Sequence, residues 1–233
     1  MDYTKVATFC CLLCVVVGAA LIPEKDYHCM FPVTWQSSVF MDSGMMIWIP
    51  EQMNASGTYF YDHPNKQMRL DVSGYALGNY HFSFTFIWKL LEKEVYTIDN
   101  NNKTCGKEAD TIGVWNQWAG VPQDAVKETF GGLGGFKVIV SRYSLVRDSG
   151  DTDSLITLDV NEDSLCTPVR VSFQDTHLDP IAGEMVNYEF LDVMPLSDPT
   201  VFNTPSHCPN TTRQDTELIR RLLPSRHISI FTG

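Results

Sequence analysis

Large apolar residues return at every second position through the middle of the chain. In the run YHFSFTFIW, Tyr80, Phe82, Phe84, Phe86 and Trp88 fall on one side of an extended segment, which is the period of a strand with one buried face. Shorter segments of strand character fall at 58–62, 68–72, 95–98, 136–143, 155–160, 169–173 and 186–193. Turn-forming residues punctuate them: DNNN at 99–102, DSGD at 148–151, NED at 161–163 and DPIAG at 179–183. Such close succession favours antiparallel pairing over a parallel α/β sheet. The fold expected is mainly β, two stacked, curved antiparallel sheets as a sandwich or open barrel. Helical signals are confined to 122–130, where Pro122 suits a first turn and Gly131 a stop, and to 215–223, ended by Pro224. These give one or two short helices. No repeat or linker divides the chain, so a single domain over 21–233 is expected, with a C-terminal tail from about residue 213.

The stretch TYFYDHPNKQMRLDV, residues 58–72, reads as a hairpin. A turn centred on Pro64 and Asn65, or spread over 64–67, puts Tyr59, Tyr61, Met68, Leu70 and Val72 on one face and Phe60, Asp62, Arg69 and Asp71 on the other. A three-residue loop would mix the faces. Asp62 and Arg69 are therefore expected as a structural charge pair sharing a face, opposite one another or one pair offset. Such a pair contributes about 0–1 kcal/mol when exposed, and fixes register more than it stabilises when buried.

The first twenty residues change the compartment. Lys5 precedes an apolar run from Val6 to Val17, and Gly18 and Ala20 suit signal peptidase, so residues 1–20 read as a secretory signal peptide cleaved after Ala20. Three of the seven cysteines lie within it. The remainder, Cys29, Cys105, Cys166 and Cys208, imply two disulfides in an oxidising compartment, with three connectivities open. Sequons at Asn54, Asn102 and Asn210 agree with a glycosylated, secreted chain. A net charge of −11 without a basic, aromatic-interleaved patch excludes phosphate-backbone binding, hence a nucleic-acid partner, and permits cations.

Catalytic signatures are absent: there is no GxSxG, HExxH or Walker sequence, and GGLGG at 131–135 runs into a strand rather than a helix, which makes it a turn. No catalytic residue, enzymatic activity or organic cofactor is expected. Asp175, His177 and Asp179 alternate along an extended segment and so point the same way. Oxygen ligands suit calcium, a histidine suits zinc, and a metal-assisted hydrolase built on these three would lack a nucleophile. Pro180 and Gly183 favour an ordinary solvated loop. Asp148, Asp151 and Asp153, followed by Asp159, Glu162 and Asp163, form a second acidic cluster without EF-hand order, and a solvated hairpin tip is the preferred reading. Calcium candidates are thus Asp148, Asp151, Asp153, Asp175 and Asp179. The aromatics have more to offer. Tyr59, Tyr61, Phe82, Phe84, Phe86, Trp88, Trp115, Trp118 and Phe136 are mostly core residues, yet a curved sheet lined with them also forms a concave apolar pocket.

Four stretches together resemble the ependymins and ependymin-related proteins: Tyr61 and Asp62 followed by Arg69 in a hairpin, YTID at 96–99 leading to Cys105, CTPV at 166–169, and FLDVMPLSDPTVFNTPSHC at 190–208. They span the chain from about Cys29 to Cys208. The resemblance implies a secreted or lysosomal glycoprotein, often a homodimer, with two antiparallel sheets curved around a deep hydrophobic pocket like that of the LolA/LolB lipoprotein carriers. It also implies calcium binding and a role in cell–matrix adhesion. Carried over by position, the bridges would be Cys29–Cys166 and Cys105–Cys208, each closing on the order of 100 residues and contributing ~4–5 kcal/mol in the chain-entropy model. Relatives commonly have a third disulfide, which this chain lacks, so its homodimer would not be disulfide-linked. The function expected is a secreted carrier of a lipid or fatty acid, with calcium; the alternative is a calcium-dependent adhesion protein that contacts extracellular matrix and carries no lipid. Arg220 and Arg221 offer a processing site, while Leu218, Ile219, Leu222 and Leu223 offer a dimer contact; a frayed tail is the default.

Overall fold

The computed structural model describes residues 27–46, 50–76, 79–109, 120–132, 139–148, 152–161, 166–178 and 181–208. They form thirteen strands: β1 Tyr27–Met30, β2 Thr34–Met46, β3 Pro50–Asp62, β4 Gln67–Ala76, β5 Tyr80–Lys89, β6 Glu94–Asp99, β7 Thr104–Ala109, β8 Gly120–Pro122, β9 Val126–Gly132, β10 Ile139–Asp148, β11 Thr152–Asn161, β12 Thr167–Leu178 and β13 Ile181–Pro195. A single 3₁₀ turn, Pro199–Phe202, follows. Eleven strands make one antiparallel sheet in the order β7-β6-β5-β4-β3-β2-β13-β12-β11-β10-β9, and β1 pairs with β8 in a second. The large sheet is not closed into a barrel: among the described strands β7 and β9 stand at its edges.

Hairpin connections explain most of this order, because neighbours in the sequence are neighbours in the sheet. The exception is the β2–β13 pairing, which joins the two ends of the chain and makes one continuous sheet of what would otherwise be two. The hairpin of β3 and β4 has Asp62 opposite Gln67, Tyr61 opposite Met68 and Phe60 opposite Arg69, so its turn is His63 to Lys66 and its faces are those that parity assigns. Lys66 adopts φ 50°, the left-handed conformation that closes this turn.

The expected helix over 122–130 is not formed. Pro122 ends β8, the Ala125 N–H bonds to its carbonyl, and Val126–Gly132 pairs with β10 as an edge strand. The β-branched and aromatic residues Val126, Thr129 and Phe130 prefer the ladder that tertiary pairing offers them. The segment 215–223 lies outside the described residues.

One face of the large sheet is the core. Trp35, Val39 and Met41 of β2, Tyr59 and Tyr61 of β3, Met68, Leu70 and Val72 of β4, the Phe82-to-Trp88 row of β5, and matching residues of β11, β12 and β13 bury into a single cluster. Phe31, just after β1, and Val121 of β8 join that cluster, and the Cys29–Cys166 disulfide ties β1 to the start of β12. β3 and β4 approach closely at two glycines. A Cβ on Gly57 would sit 1.7 Å from the Asp71 carbonyl oxygen, and one on Gly74 would sit 2.1 Å from that of Asn54, so the backbones approach as only glycine allows.

A second, smaller core sits on the opposite face. Ile87, Tyr96 and Ile98 are buried there with Cys105 and Cys208 packed against them. Strict alternation along β5 would leave Ile87 in water; the segment 196–208 covers it instead. That segment leaves β13 after a bulge between Leu191 and Met194, where Asp192 takes φ 53°. It then crosses the sheet as a strap. Ser197 donates to Gln36 of β2, Asp198 caps the 3₁₀ turn through the Thr200 N–H, Phe202 is buried, and Cys208 closes the second disulfide to Cys105 of β7. Both bridges are the ones that the resemblance implied.

Candidate functional site: the aromatic inner face

The inner face is aromatic because several strands place large rings at the same register. Trp35 lies opposite Tyr61 and Ser37 opposite Tyr59 in the β2–β3 ladder. Trp35 is surrounded by rings, with centroids 5.1 Å to Tyr59, 5.7 Å to Tyr61 and 5.4 Å edge-on to Phe190. Along β5 the rings form a continuous row: Phe82 stacks on Phe84 at 5.9 Å, Phe84 tilts against Phe86 at 6.0 Å, and Phe86 stacks on Trp88 at 5.7 Å. Of the pocket candidates, Tyr59, Tyr61, Phe82, Phe84, Phe86 and Trp88 are therefore brought together in one buried cluster. Trp115, Trp118 and Phe136 lie outside the described residues.

Polar atoms within this face are few. Tyr59 donates its hydroxyl to Met68 Sδ at 3.0 Å, and Tyr61 Oη lies 3.1 Å from His63 Nδ1 at the hairpin mouth. Burial drives both phenols far above the usual tyrosine range, reinforced at Tyr59 by Tyr188 and at Tyr61 by Tyr59, Tyr27 and Asp62, so neither ionises in the folded state. Trp35 Nε1, Ser37 Oγ and Ser141 Oγ are buried without a hydrogen-bond partner. No lysine, arginine or histidine is buried among the described residues. The face is thus an apolar, ring-rich surface with a few neutral polar atoms set into it.

Sequence alternation flagged β5 and the hairpin but missed Trp35, Ser37 and Phe190. The signal was present in β2, where Trp35, Ser37, Val39 and Met41 alternate; the serine interrupts the apolar series and hides it.

The expected Asp62–Arg69 pair is not formed, although the two residues share a face. Asp62 is buried and accepts from the Asn65 N–H at 3.2 Å and its Nδ2 at 2.7 Å, closing the turn. Arg69 Nε instead contacts Asp71 at 2.9 and 3.0 Å, and its Nη1 donates to the Val201 carbonyl at 2.6 Å. Two partners explain the divorce. Asn65 lies nearer to Asp62 in the turn, and the strap presents a carbonyl to the guanidinium.

Acidic candidates are dispersed by register. Asp148 pairs with Asp153 across the β10–β11 ladder, whereas Asp175 pairs with Ser154 and Glu184, one register row away. His177 shares the parity of Asp175 on β12. Asp151 and Asp179 lie outside the described residues, as do Glu162 and Asp163. Asp159 is occupied: Arg142 holds it through Nε at 2.7 Å and Nη2 at 2.8 Å. No group of three or more histidine, cysteine, aspartate or glutamate residues suited to a metal ion occurs among the described residues. Asn54 is exposed on β3 and Asn102 is exposed in the turn after β6; Asn210 lies outside the described residues.

No family model matches this chain, and no curated protein matches it.

Proposed function

We propose that this protein is a secreted, ependymin-related glycoprotein that carries a lipid or other hydrophobic molecule against the inner face of its large sheet. The observation that carries the proposal is the extent of that face: aromatic and aliphatic residues of seven strands, from β5 round to β11, form one buried apolar surface on a sheet whose described strands do not close on themselves. Eleven strands at about 4.8 Å spacing span about 50 Å. Closed barrels of about eight strands are just filled by side chains or hold one small ligand, so an eleven-stranded sheet that curves around its apolar face would have more interior to fill. The cover supplied by β1 and β8 is only two strands wide. Apolar walls with a few neutral polar atoms are the usual lining of a ligand site. Exposed sequons at Asn54 and Asn102, and two disulfides, fit an oxidising, glycosylating route.

Native mass spectrometry of protein purified from the medium of secreting cells tests this directly. Adducts of lipid mass that leave on collisional activation, with the same lipids recovered by solvent extraction, are expected. A sharp unliganded mass, together with no fluorescence gain by a hydrocarbon dye, would overturn it.

A further inference from the structure

We infer that the preferred cargo bears an uncharged polar group, a hydroxyl or an ester, which accepts a hydrogen bond from Trp35 Nε1 and bonds to Ser37 Oγ, and that anionic lipids such as free carboxylates are disfavoured. This rests on the carrier reading and narrows it to a chemical class. Trp35 is 4% exposed, Ser37 2% and Ser141 0%, and the side-chain polar atoms of all three lack a partner. A buried polar group left unpaired costs a desolvation penalty that folded proteins rarely leave uncompensated. Three of the four orphaned atoms among the described residues lie on the inner face, the fourth being Thr204 Oγ1 of the strap: Trp35 and Ser37 stand two residues apart on the same side of β2, and Ser141 lies opposite Val160, also in that cluster. On a β-strand, residues two apart are near neighbours, within reach of one head group.

The type of each orphan sets the chemistry. An indole N–H only donates, so the ligand atom it meets must accept; a hydroxyl donates or accepts. A carboxylate would also accept, but its charge would need a partner in this apolar interior. No buried cation is present among the described residues, and both neighbouring phenols are held neutral by burial, Tyr59 already donating to Met68. A neutral head group satisfies the orphans without that cost.

The test uses the full secreted chain after solvent delipidation, with diphenylhexatriene, a hydrocarbon dye that makes no hydrogen bonds, as the reporter. Decanol is expected to displace it at a concentration at least about tenfold below that of decanoate at pH 7.4, a difference of about 1.4 kcal/mol. Decanoate should gain as the pH falls towards about 4.5, where its carboxyl begins to protonate. Trp35→Phe and Ser37→Ala should each weaken decanol about fivefold relative to the dye affinity measured for the same variant, the share of one neutral hydrogen bond. Ser37→Ala removes one oxygen atom from the core and guards against a folding defect in the tryptophan variant; a merely structural serine would leave decanol untouched. If the dye does not bind the wild type, the carrier reading falls and this inference with it. If the dye binds but decanol and decanoate compete equally at pH 7.4, or neither variant alters decanol, the orphans are satisfied by water and this inference alone is overturned.

Discussion

Ile87→Ala tests the strap. On β5, Ile87 sits between Phe86 and Trp88, which face the main core, so alternation assigns it to solvent, where truncation would change stability by no more than about 0.5 kcal/mol. In the folded chain it is 0% exposed, packed with Tyr96 and Ile98 beneath the segment 196–208. Removing three carbons at about 0.8 kcal/mol each forfeits about 2.4 kcal/mol of transfer free energy. The cavity beneath a disulfide-tethered strap adds to this, for a total of about 3–4 kcal/mol. At roughly 2–4 °C per kcal/mol for a domain of this size, the melting temperature should fall by about 10 °C. Ile87→Val should give a graded loss of about 1 kcal/mol. Urea unfolding followed by tryptophan fluorescence measures both, with a lowered midpoint and an unchanged slope expected. Phe40→Ala is the control: Phe40 lies on the same outer face, beyond the strap, and is 50% exposed. An Ile87→Ala shift no larger than that of Phe40→Ala would refute the buried outer core. The strap's own fastenings should couple to it: Cys105→Ser with Cys208→Ser, combined with Ile87→Ala, should destabilise by less than the two effects added, because each loosens the same segment.

Gly57→Ala should block folding and secretion, since the new methyl would lie 1.7 Å from the Asp71 carbonyl oxygen; recovery of normally folded protein in the medium would show that the two strands part easily. Asp62→Ala should cost about 1–2 kcal/mol in chemical denaturation while leaving hydrocarbon-dye binding intact, because it strips the turn of two bonds from Asn65, and Asn65→Ala, which removes only the Nδ2 bond and keeps the backbone N–H, should reproduce about half of the loss. Alkaline pH should destabilise the protein. Tyr59 and Tyr61 have folded-state pKa values raised by burial, so their contribution is intact below the unfolded value near 10 and is lost progressively as the pH rises above it. Absorbance at 295 nm should accordingly show two tyrosines titrating only with unfolding, and a smooth titration of all tyrosines in the folded state would contradict this. At the acid end, Glu94 has its pKa lowered first by its hydrogen bond from Lys107 and then by that from Tyr96, so its contribution is present above the ordinary glutamate value and lost as the pH falls through the lowered one; the stability gap between wild type and Glu94→Gln should close over that range.

What the residue pattern reveals depends on how many partners a position has. Period-2 alternation reports one interface, the pleat against one core, and wherever that interface decides the conformation it is reliable: β5, the β3–β4 hairpin with its register, and the sidedness of Tyr59, Tyr61, Met68, Leu70 and Val72 all follow from it. It fails where a second, distant segment intervenes. The strap buries Ile87 and Ile98 on the face that alternation leaves to water, and its Val201 carbonyl draws Arg69 away from Asp62, across a separation of 132 residues that no local window contains. The helix expected at 122–130 fails for the same reason. Capping signals are local, and the hydrogen bonds that β10 offers to Val126–Gly132 are not.

The candidate site follows the same division. Its walls were legible because many large rings at one period announce a buried face. Its polar groups were not, because a serine or an indole N–H in the sequence gives no sign of being unpaired until every neighbour has been placed. Ser37 illustrates the point. In the sequence it is a polar interruption that weakens the case for a strand; in the folded sheet it is a buried hydroxyl opposite Tyr59 with nothing to bond. A side chain that interrupts the apolar series and raises the cost of its core is poorly explained by stability alone, and the cargo proposed above would supply the missing partner. The position at which β2 departs from its own pattern is therefore also the one where substitution should alter ligand preference and leave the fold intact.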